Sequence, residues 1–190
     1  MRKKSIMIDM DDVIVSGGFL YLINQHLGTD YIESDFKNFY MQDVIPDKKA
    51  FFEYFLTQNM YDYSEMSENA YEVIKELSEE FNIYIGTSYI FPEIIKESGN
   101  VLVQKYNYLM EKLPFLTPKN FVFLVDKSVL NCDIKIDDRI DNLDGAERKI
   151  LYSAYHNKDI SHEELKRQGI ERADNWLDIK RILLGSTVKQ

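Results

Sequence analysis

The most regular feature of the chain is an alternation of short apolar runs with longer segments of helical periodicity. The apolar runs are rich in Ile, Val, Phe and Tyr and predict β-strands over residues 4–9, 82–87, 121–125, 132–137 and 150–155. Apolar residues at helical spacing predict helices over 67–81, 100–113 and 174–185. Strands that alternate with helices form a mainly parallel sheet covered by helices. We therefore predict an α/β fold with a doubly wound, Rossmann-like parallel sheet.

Residues that favour helix ends flank two of these segments. Ser67 and Asp174 stand where their side-chain oxygens would cap a first turn, and Gly185 follows the last periodic residue. We expect helices to begin after Ser67 and Asp174 and the last one to stop at Gly185.

One interval interrupts the alternation. Residues 17–66 contain no convincing strand, begin with Gly17-Gly18 and are rich in Phe and Tyr, and residues 47–59 have a helical pattern. We predict that residues 17–66 form a small helical cap inserted after the first strand. The catalytic core would then comprise residues 1–16 and 67–190.

Composition narrows the function classes. The 190 residues suggest one domain with an insertion, and a hydrophobic fraction of 45% is enough for a sizeable core. A net charge of -9 argues against binding of nucleic acid, which requires a basic face. The basic start of the chain meets acidic residues after a short apolar run, so we expect neither a signal peptide nor a membrane span. We expect a cytoplasmic protein with no membrane partner, and the sequence leaves a homodimer open.

Candidate chemistry gathers at the predicted strand ends. Three carboxylates crowd the end of the first strand, and polar or charged residues follow the next three: Asp9, Asp11, Asp12, Thr87, Ser88, Lys127, Asp137 and Asp138. The carboxyl ends of parallel strands meet at one edge of a sheet, where ligands bind. Carboxylates are ligands for Mg²⁺, and hydroxyl and ammonium groups suit phosphate oxygens. The pattern predicts a magnesium-dependent phosphoryl-transfer site.

Other phosphate and nucleophile motifs are absent from the sequence. It contains no Walker-type loop, no Gly-x-Gly-x-x-Gly fingerprint and no Gly-x-Ser-x-Gly elbow. A carboxylate is therefore the most plausible nucleophile, as in enzymes that form an aspartyl-phosphate.

The set Asp9-Met10-Asp11, Thr87, Lys127 and Asp137-Asp138 resembles, in order, the four motifs of the haloacid-dehalogenase-like phosphatases. The stretches "IDMDDVI", "GTSY", "VDKSVLNCDIKIDDRIDN", "KILYSAYHN" and "ADNWLDIKRIL" resemble the cytosolic 5'(3')-deoxyribonucleotidase family along nearly the whole chain. The spacing from Lys127 to Asp137 and the "YHN" after the fifth predicted strand are the more discriminating parts.

The resemblance implies a role for each core residue. Asp9 would be the nucleophile, and Asp11 would be the general acid and base. Mg²⁺ would be held by the Asp9 carboxylate, the Asp11 carbonyl and Asp137. Thr87, Ser88 and Lys127 would bind the phosphate, and Asp138 would support the metal ligands. The insertion would cover the site, with Phe39, Tyr40 and Tyr61 as candidates for stacking against a nucleobase.

The sequence also departs from the family pattern. Asp12 replaces the usual Gly, and Asp tolerates a positive φ better than most residues. Tyr89 replaces a common Pro, and a Lys often found shortly afterwards is absent. One phosphate contact is therefore either missing or supplied by Lys105.

The expected activity is hydrolysis of (deoxy)nucleoside monophosphates to nucleoside and phosphate. Two alternatives stay open: the same chemistry on another small phosphate ester, and a non-catalytic relative that binds nucleotide or metal. The motifs leave open the sugar, the base and the position of the phosphate.

Overall fold

The computed structural model describes residues 2–185 and has a six-stranded parallel sheet at its centre. Its strands are β1 (Ser5–Ile8), β4 (Asn82–Thr87), β5 (Phe121–Phe123), β6 (Cys132–Asp137), β7 (Ala146–Tyr152) and β8 (Ile170–Ala173). The spatial order is β5-β4-β1-β6-β7-β8, and every neighbouring pair is parallel. The predicted doubly wound α/β fold is confirmed. Because β1 lies between β4 and β6, the residues that follow these three strands are brought side by side.

Two very short strands, β2 (Val15–Ser16) and β3 (Glu65–Met66), pair antiparallel outside this sheet. The helices are α1 (Gly18–Leu27), α2 (Lys48–Phe55), α3 (Ala70–Glu80), α4 (Gly99–Lys112), α5 (His162–Arg167) and α6 (Trp176–Leu184). Strands β4 and β6 have the predicted bounds, whereas β5 ends two residues early. None of the helices among the described residues has the length and apolar character required to cross a membrane.

The predicted boundaries of one strand and of two helices are wrong. The strand predicted over 150–155 is β7, which begins earlier, at Ala146, and ends at Tyr152. It ends before residue 155 because Asn157 Oδ1 accepts the Ala154 N–H and closes a turn there. Ser67 does not cap α3; its hydroxyl donates to the Val13 carbonyl at 2.8 Å.

The last helix is capped one residue later than predicted. Asn175, rather than Asp174, accepts the Asp178 N–H at 3.0 Å. The predicted stop at Gly185 is the observed C-cap.

The segment between β2 and β3 is mainly helical and packs on the same core as the sheet. Gly18 starts α1 where a Cβ would lie 2.1 Å from the Met60 carbonyl oxygen, so a larger residue would clash. Phe19 packs against Phe51 of α2 and against Phe91, which follows β4, at 5.7 and 5.6 Å. One continuous hydrophobic cluster therefore contains residues of both the segment and the sheet. We call residues 17–66 the cap, and we propose that they form a separate domain.

Trp176 locks the last helix onto the loop that carries the acidic residues. Its side chain is fully buried, and its indole N–H donates to the Val13 carbonyl at 3.0 Å. We expect Trp176→Phe to lower the free energy of unfolding by about 2 kcal/mol, through lost volume and a lost hydrogen bond. Urea unfolding followed by far-UV circular dichroism measures this, since the variant lacks the only Trp.

Leu177→Ala is the matched control on the same helix. Leu177 is 55% exposed, so its truncation should change the free energy of unfolding by less than about 0.5 kcal/mol. Equal losses in the two variants would contradict the role assigned to Trp176.

Candidate active site

Asp9 lies at the centre of the carboxyl edge, directly after β1. Its Oδ1 accepts the Met10 N–H at 2.6 Å and lies 2.6 Å from Lys127 Nζ. Among residues 2–185, no donor contacts Oδ2. Burial raises the pKa of Asp9 to about 6, and the negative charges of Asp137 and Asp11 act in the same direction. One oxygen of this carboxylate is thus held in place while the other stays free to react or to bind a cation.

Lys127 is a buried cation set between two buried carboxylates. It starts the 3-10 turn Lys127–Val129, and its ammonium lies 2.6 Å from Asp9 Oδ1 and 2.7 Å from Asp137 Oδ2. Burial alone would lower the pKa of Lys127, but these two carboxylates raise it above its usual value. Lys135 donates to the Lys127 carbonyl at 2.7 Å, which fixes the turn from below. The ammonium therefore stays charged and offsets repulsion between the carboxylates.

Asp137 is the last residue of β6, Asp138 follows it, and both carboxylates belong to an oxygen-rich cluster. The Asp137 Oδ1 accepts the Arg139 N–H at 3.0 Å and the Asn142 side-chain amide at 2.9 Å, which orients the carboxylate. One oxygen from each of Asp9, Asp137 and Asp138 lies within 4.8 Å of the other two. A set of hard oxygen donors at this separation fits a divalent cation. The residues present therefore fit a metal site.

Asp11 is held by groups from two different parts of the chain. Lys105 of α4 forms an ion pair with Asp11 Oδ2, and its ammonium also donates to Thr87 Oγ1 at 2.6 Å. The Tyr61 hydroxyl donates to Asp11 Oδ1 at 2.8 Å. Lys105 thus reaches the site from the helix after β4, where the sequence suggested that it would replace the missing Lys.

Tyr61 is placed differently from the other predicted aromatic residues. Its side chain is buried, its ring packs against Tyr108 at 5.2 Å, and it is not part of the cavity wall. Burial, together with the charge of Asp11, raises the pKa of Tyr61 well above its usual value, so the hydroxyl keeps its proton. The geometry directs Tyr61 to Asp11 and not to an open space where a base could stack.

Asp12 adopts the left-handed backbone conformation that a Gly at this position would favour, with φ of 57°. Its N–H donates to the Val15 carbonyl at 2.8 Å, which closes the turn after β1. The turn is therefore preserved although the residue is not Gly, as the sequence suggested.

The Asp12 carboxyl lies beside Asp138 and His156, in a second group of three possible ligand residues. His156 Nε2 is 2.7 Å from Asp138 Oδ2. Burial raises the pKa of Asp12 to about 8, and the charge of Asp11 adds to the effect. Burial and the charge of Arg139 lower the pKa of His156 to about 4. At neutral pH this group therefore carries less charge than its residue types imply.

A cavity of about 370 Å³ opens above these residues, within the usual size range of small-molecule sites. The cap contributes Phe39, Tyr40 and Gln42 to its lining. Gln42 is only 9% exposed, and its carboxamide has no hydrogen-bond partner within the described chain. The predicted residues that line the cavity are Asp9, Asp11, Thr87, Ser88, Lys127, Asp138, Phe39 and Tyr40.

Phe39 is fixed by contacts that join the cap to the sheet. The Arg139 guanidinium lies 4.7 Å from its ring centroid, and His156 meets the ring edge-on at 5.2 Å. The Tyr155 hydroxyl donates to the Phe39 carbonyl at 2.6 Å. The loops after β6 and β7 thus set one wall of the cavity.

Sequence reasoning missed several members of this site. Gln42 carries no motif, and although Arg139 and Asn142 lie within the quoted stretch 125–142, only the packing of the segment after β6 against the site shows that they belong to it. The "YHN" stretch did contain a signal: His156 contacts Asp138, and Asn157 donates to the Asp138 carbonyl at 2.8 Å.

Comparison with known proteins agrees with this geometry. The sequence profile of the family described as "5' nucleotidase, deoxy (Pyrimidine), cytosolic type C protein" matches residues 3–189. A 5'(3')-deoxyribonucleotidase from Bacillus subtilis and one from Bacillus phage SPbeta are each 28% identical over 185 residues, which cover 96% of this chain and 99% of each relative.

Among solved structures, a haloacid dehalogenase-like hydrolase from Streptococcus pneumoniae is similar, with a TM-score of 0.49 and 14% identity over 95% of this chain and 98% of that chain. The family match extends over almost the full sequence and includes every strand-end residue described above. The chain belongs to the 5' nucleotidase, deoxy (pyrimidine), cytosolic type C family of phosphoric monoester hydrolases.

Proposed function

We propose that the chain is a cytoplasmic, magnesium-dependent phosphatase that hydrolyses (deoxy)nucleoside monophosphates through an aspartyl-phosphate. The observation that carries the proposal is the placement of Asp9, Asp11 and Lys127 around the floor of one cavity, with Asp137 behind them. The family's description as a cytosolic nucleotidase supports both the substrate class and the compartment.

In the first step, an oxygen of Asp9 attacks phosphorus and the bond to the nucleoside oxygen breaks. Asp9 Oδ1 is occupied by Met10 and Lys127, which leaves Oδ2 for the reaction. Asp11 gives its proton to the leaving oxygen. In the second step, Asp11 takes a proton from water as the water oxygen attacks phosphorus, and the bond to Asp9 breaks to release phosphate.

Charge control is the main task of the surrounding residues. Thr87, Ser88, Lys105 and Lys127 offer donors to the phosphate oxygens, and phosphoryl transfer depends chiefly on such positioning and charge stabilisation. Asp9 and Asp137 would hold Mg²⁺, with the Asp11 carbonyl as the third protein ligand and Asp138 in support. When bound, Mg²⁺ supplies positive charge to the transferring phosphoryl group.

The cap side of the cavity supports a nucleotide over a simpler ester. Phe39 and Tyr40 present aromatic surface for stacking, and Gln42, whose side chain lines the cavity, offers an amide donor and acceptor that bond to no other described residue. A nucleobase offers a flat ring and a polar edge that meet both requirements. We extend the base site to Gln42 on this ground.

Asp9→Asn should abolish turnover. The amide cannot form the phosphoenzyme, so we expect kcat on a nucleoside monophosphate to fall on the order of 10³-fold or more. Phosphate release with Mg²⁺ present measures it, and unfolding curves verify that the variant is folded. Asp30→Asn makes the same change at an exposed carboxylate and should retain full activity. Normal turnover by Asp9→Asn would refute the assignment of the nucleophile.

Substrate choice separates the nucleotide from another ester. We compare a deoxynucleoside 5'-monophosphate with deoxyribose 5-phosphate, which has the same phosphate and sugar but no base. Base stacking contributes about 1–3 kcal/mol, so kcat/KM should favour the nucleotide by at least about fivefold. Phe39→Ala and Gln42→Leu should reduce this preference, and chelation of Mg²⁺ should stop both reactions. Equal kcat/KM values would favour a non-nucleotide ester.

Replacement of Asp12 tests the unusual turn. Burial raises the pKa of Asp12 to about 8 in the folded chain, whereas in the unfolded chain the pKa returns to the ordinary value of 3.8. Stability therefore falls as pH rises between these values. In chelator, Asp12→Gly should weaken this fall by up to about 1 kcal/mol per pH unit and leave kcat/KM at pH 7 within about threefold.

Asp12→Asn separates charge from backbone strain. It removes the titrating group and keeps a residue that tolerates positive φ, so it should show the same flattened pH dependence as Asp12→Gly. An unchanged slope of stability against pH in both variants would contradict the raised pKa of Asp12.

A further inference from the structure

Tyr61 connects the cap to the general acid through a single hydroxyl group. It belongs to the 3-10 turn Met60–Tyr63 at the end of the cap, and the Asn59 side chain accepts the Tyr61 N–H at 3.3 Å. Its ring is 5% exposed and packs on Tyr108 of α4. Its hydroxyl donates to Asp11 Oδ1 at 2.8 Å. The turn and the helix together therefore determine where this hydroxyl lies.

Each oxygen of Asp11 contacts a different donor. Tyr61 contacts Oδ1, and Lys105 contacts Oδ2 while also contacting Thr87. Lys105 lines the cavity and can reach a phosphate oxygen, but Tyr61 does not line it. The Tyr61 hydroxyl is therefore the donor to Asp11 whose residue does not share the cavity with a substrate.

We propose that Tyr61 is a positioning residue, which orients Asp11 for proton transfer by occupying Oδ1, so that Oδ2 serves the substrate once Lys105 turns from it to a phosphate oxygen. The proposal rests on the proposed function. The Oδ2–H bond breaks as the proton moves to the leaving nucleoside oxygen. A proton of the attacking water then returns to Oδ2. Because Tyr61 lies in the cap and packs on Tyr108 of α4, its contact with Asp11 depends on the packing of the cap against α4.

This role replaces the stacking role suggested by the sequence. A ring that is buried against Tyr108 and absent from the cavity lining offers no face to a base. The two roles predict different kinetics. A positioning residue affects substrates according to their leaving group, whereas a stacking residue affects them according to their base.

The test compares two leaving groups in Tyr61→Phe, which keeps the ring and removes only the hydroxyl. A nucleoside alkoxide needs a proton as it leaves, whereas p-nitrophenolate leaves without one. We expect kcat/KM for a deoxynucleoside monophosphate to fall about tenfold and that for p-nitrophenyl phosphate to change less than about twofold. The ratio kcat/KM reports steps up to phosphoenzyme formation, so later hydrolysis does not enter.

Tyr108→Phe is the matched control. Tyr108 is a buried neighbour of Tyr61, but its hydroxyl makes no hydrogen bond to Asp11, so both kcat/KM values should stay within about twofold of the wild type. Thermal unfolding of both variants verifies that the packing of the two rings is retained.

Asp11→Asn distinguishes failure of this inference from failure of the proposed function. If Asp11→Asn and Tyr61→Phe both slow the nucleotide much more than p-nitrophenyl phosphate, the inference is supported. If only Asp11→Asn discriminates, Tyr61 does not position the acid and the inference is overturned. If Asp11→Asn slows both substrates equally, the assigned role of Asp11 fails and the inference fails with it. The inference is also overturned if Tyr61→Phe lowers kcat/KM for substrates that carry a base and not for those that lack one, whatever their leaving group.

Discussion

Lys127 places one buried positive charge between Asp9 and Asp137, and the arrangement of the whole site depends on this contact. Without it, burial and mutual repulsion would drive these carboxylates to bind protons or move apart. The raised pKa of Asp9 shows that one ammonium only partly offsets this cost. An edge with this surplus of negative charge favours a divalent cation, and the oxygen donors fit one. The crowded carboxylates after β1 are therefore suited to binding a divalent cation.

The cap and the sheet act as one packed unit around that edge. Phe19, Phe51 and Phe91 join them through a shared aromatic core. Polar contacts then connect the cap to the chemistry: Tyr61 bonds to Asp11, and Tyr155 bonds to the Phe39 carbonyl. The cap and the carboxyl edge of the sheet are thus linked through a few short-range contacts.

Some elements were not predictable because their stability comes from neighbours rather than local pattern. Strand β8 has the sequence Ile-Glu-Arg-Ala, which is too short and charged to stand out. It forms because it pairs with β7, where Arg148 contacts Glu171 at 2.6 Å. The first residues of β7 are equally polar, so the sequence predicted that this strand begins at residue 150 rather than at Ala146. Ser67 has the residue type of a helix cap, but a carbonyl from a distant loop binds its hydroxyl instead.

The sequence by itself determined the parallel sheet, because the alternation of apolar runs with helical periodicity is a local property of the chain. The cap interval and the roles of the strand-end residues stay predictions. The sequence also indicated that Asp12 could replace Gly in the turn after β1, because Asp tolerates a positive φ. Only the tertiary structure decided which oxygen of each carboxylate is occupied, that Lys105 reaches Thr87 and Asp11 from α4, and that Tyr61 contacts Asp11. The contacts of Lys105 and Tyr61 join residues about 20 to 100 positions apart, and tertiary packing sets the distances between them.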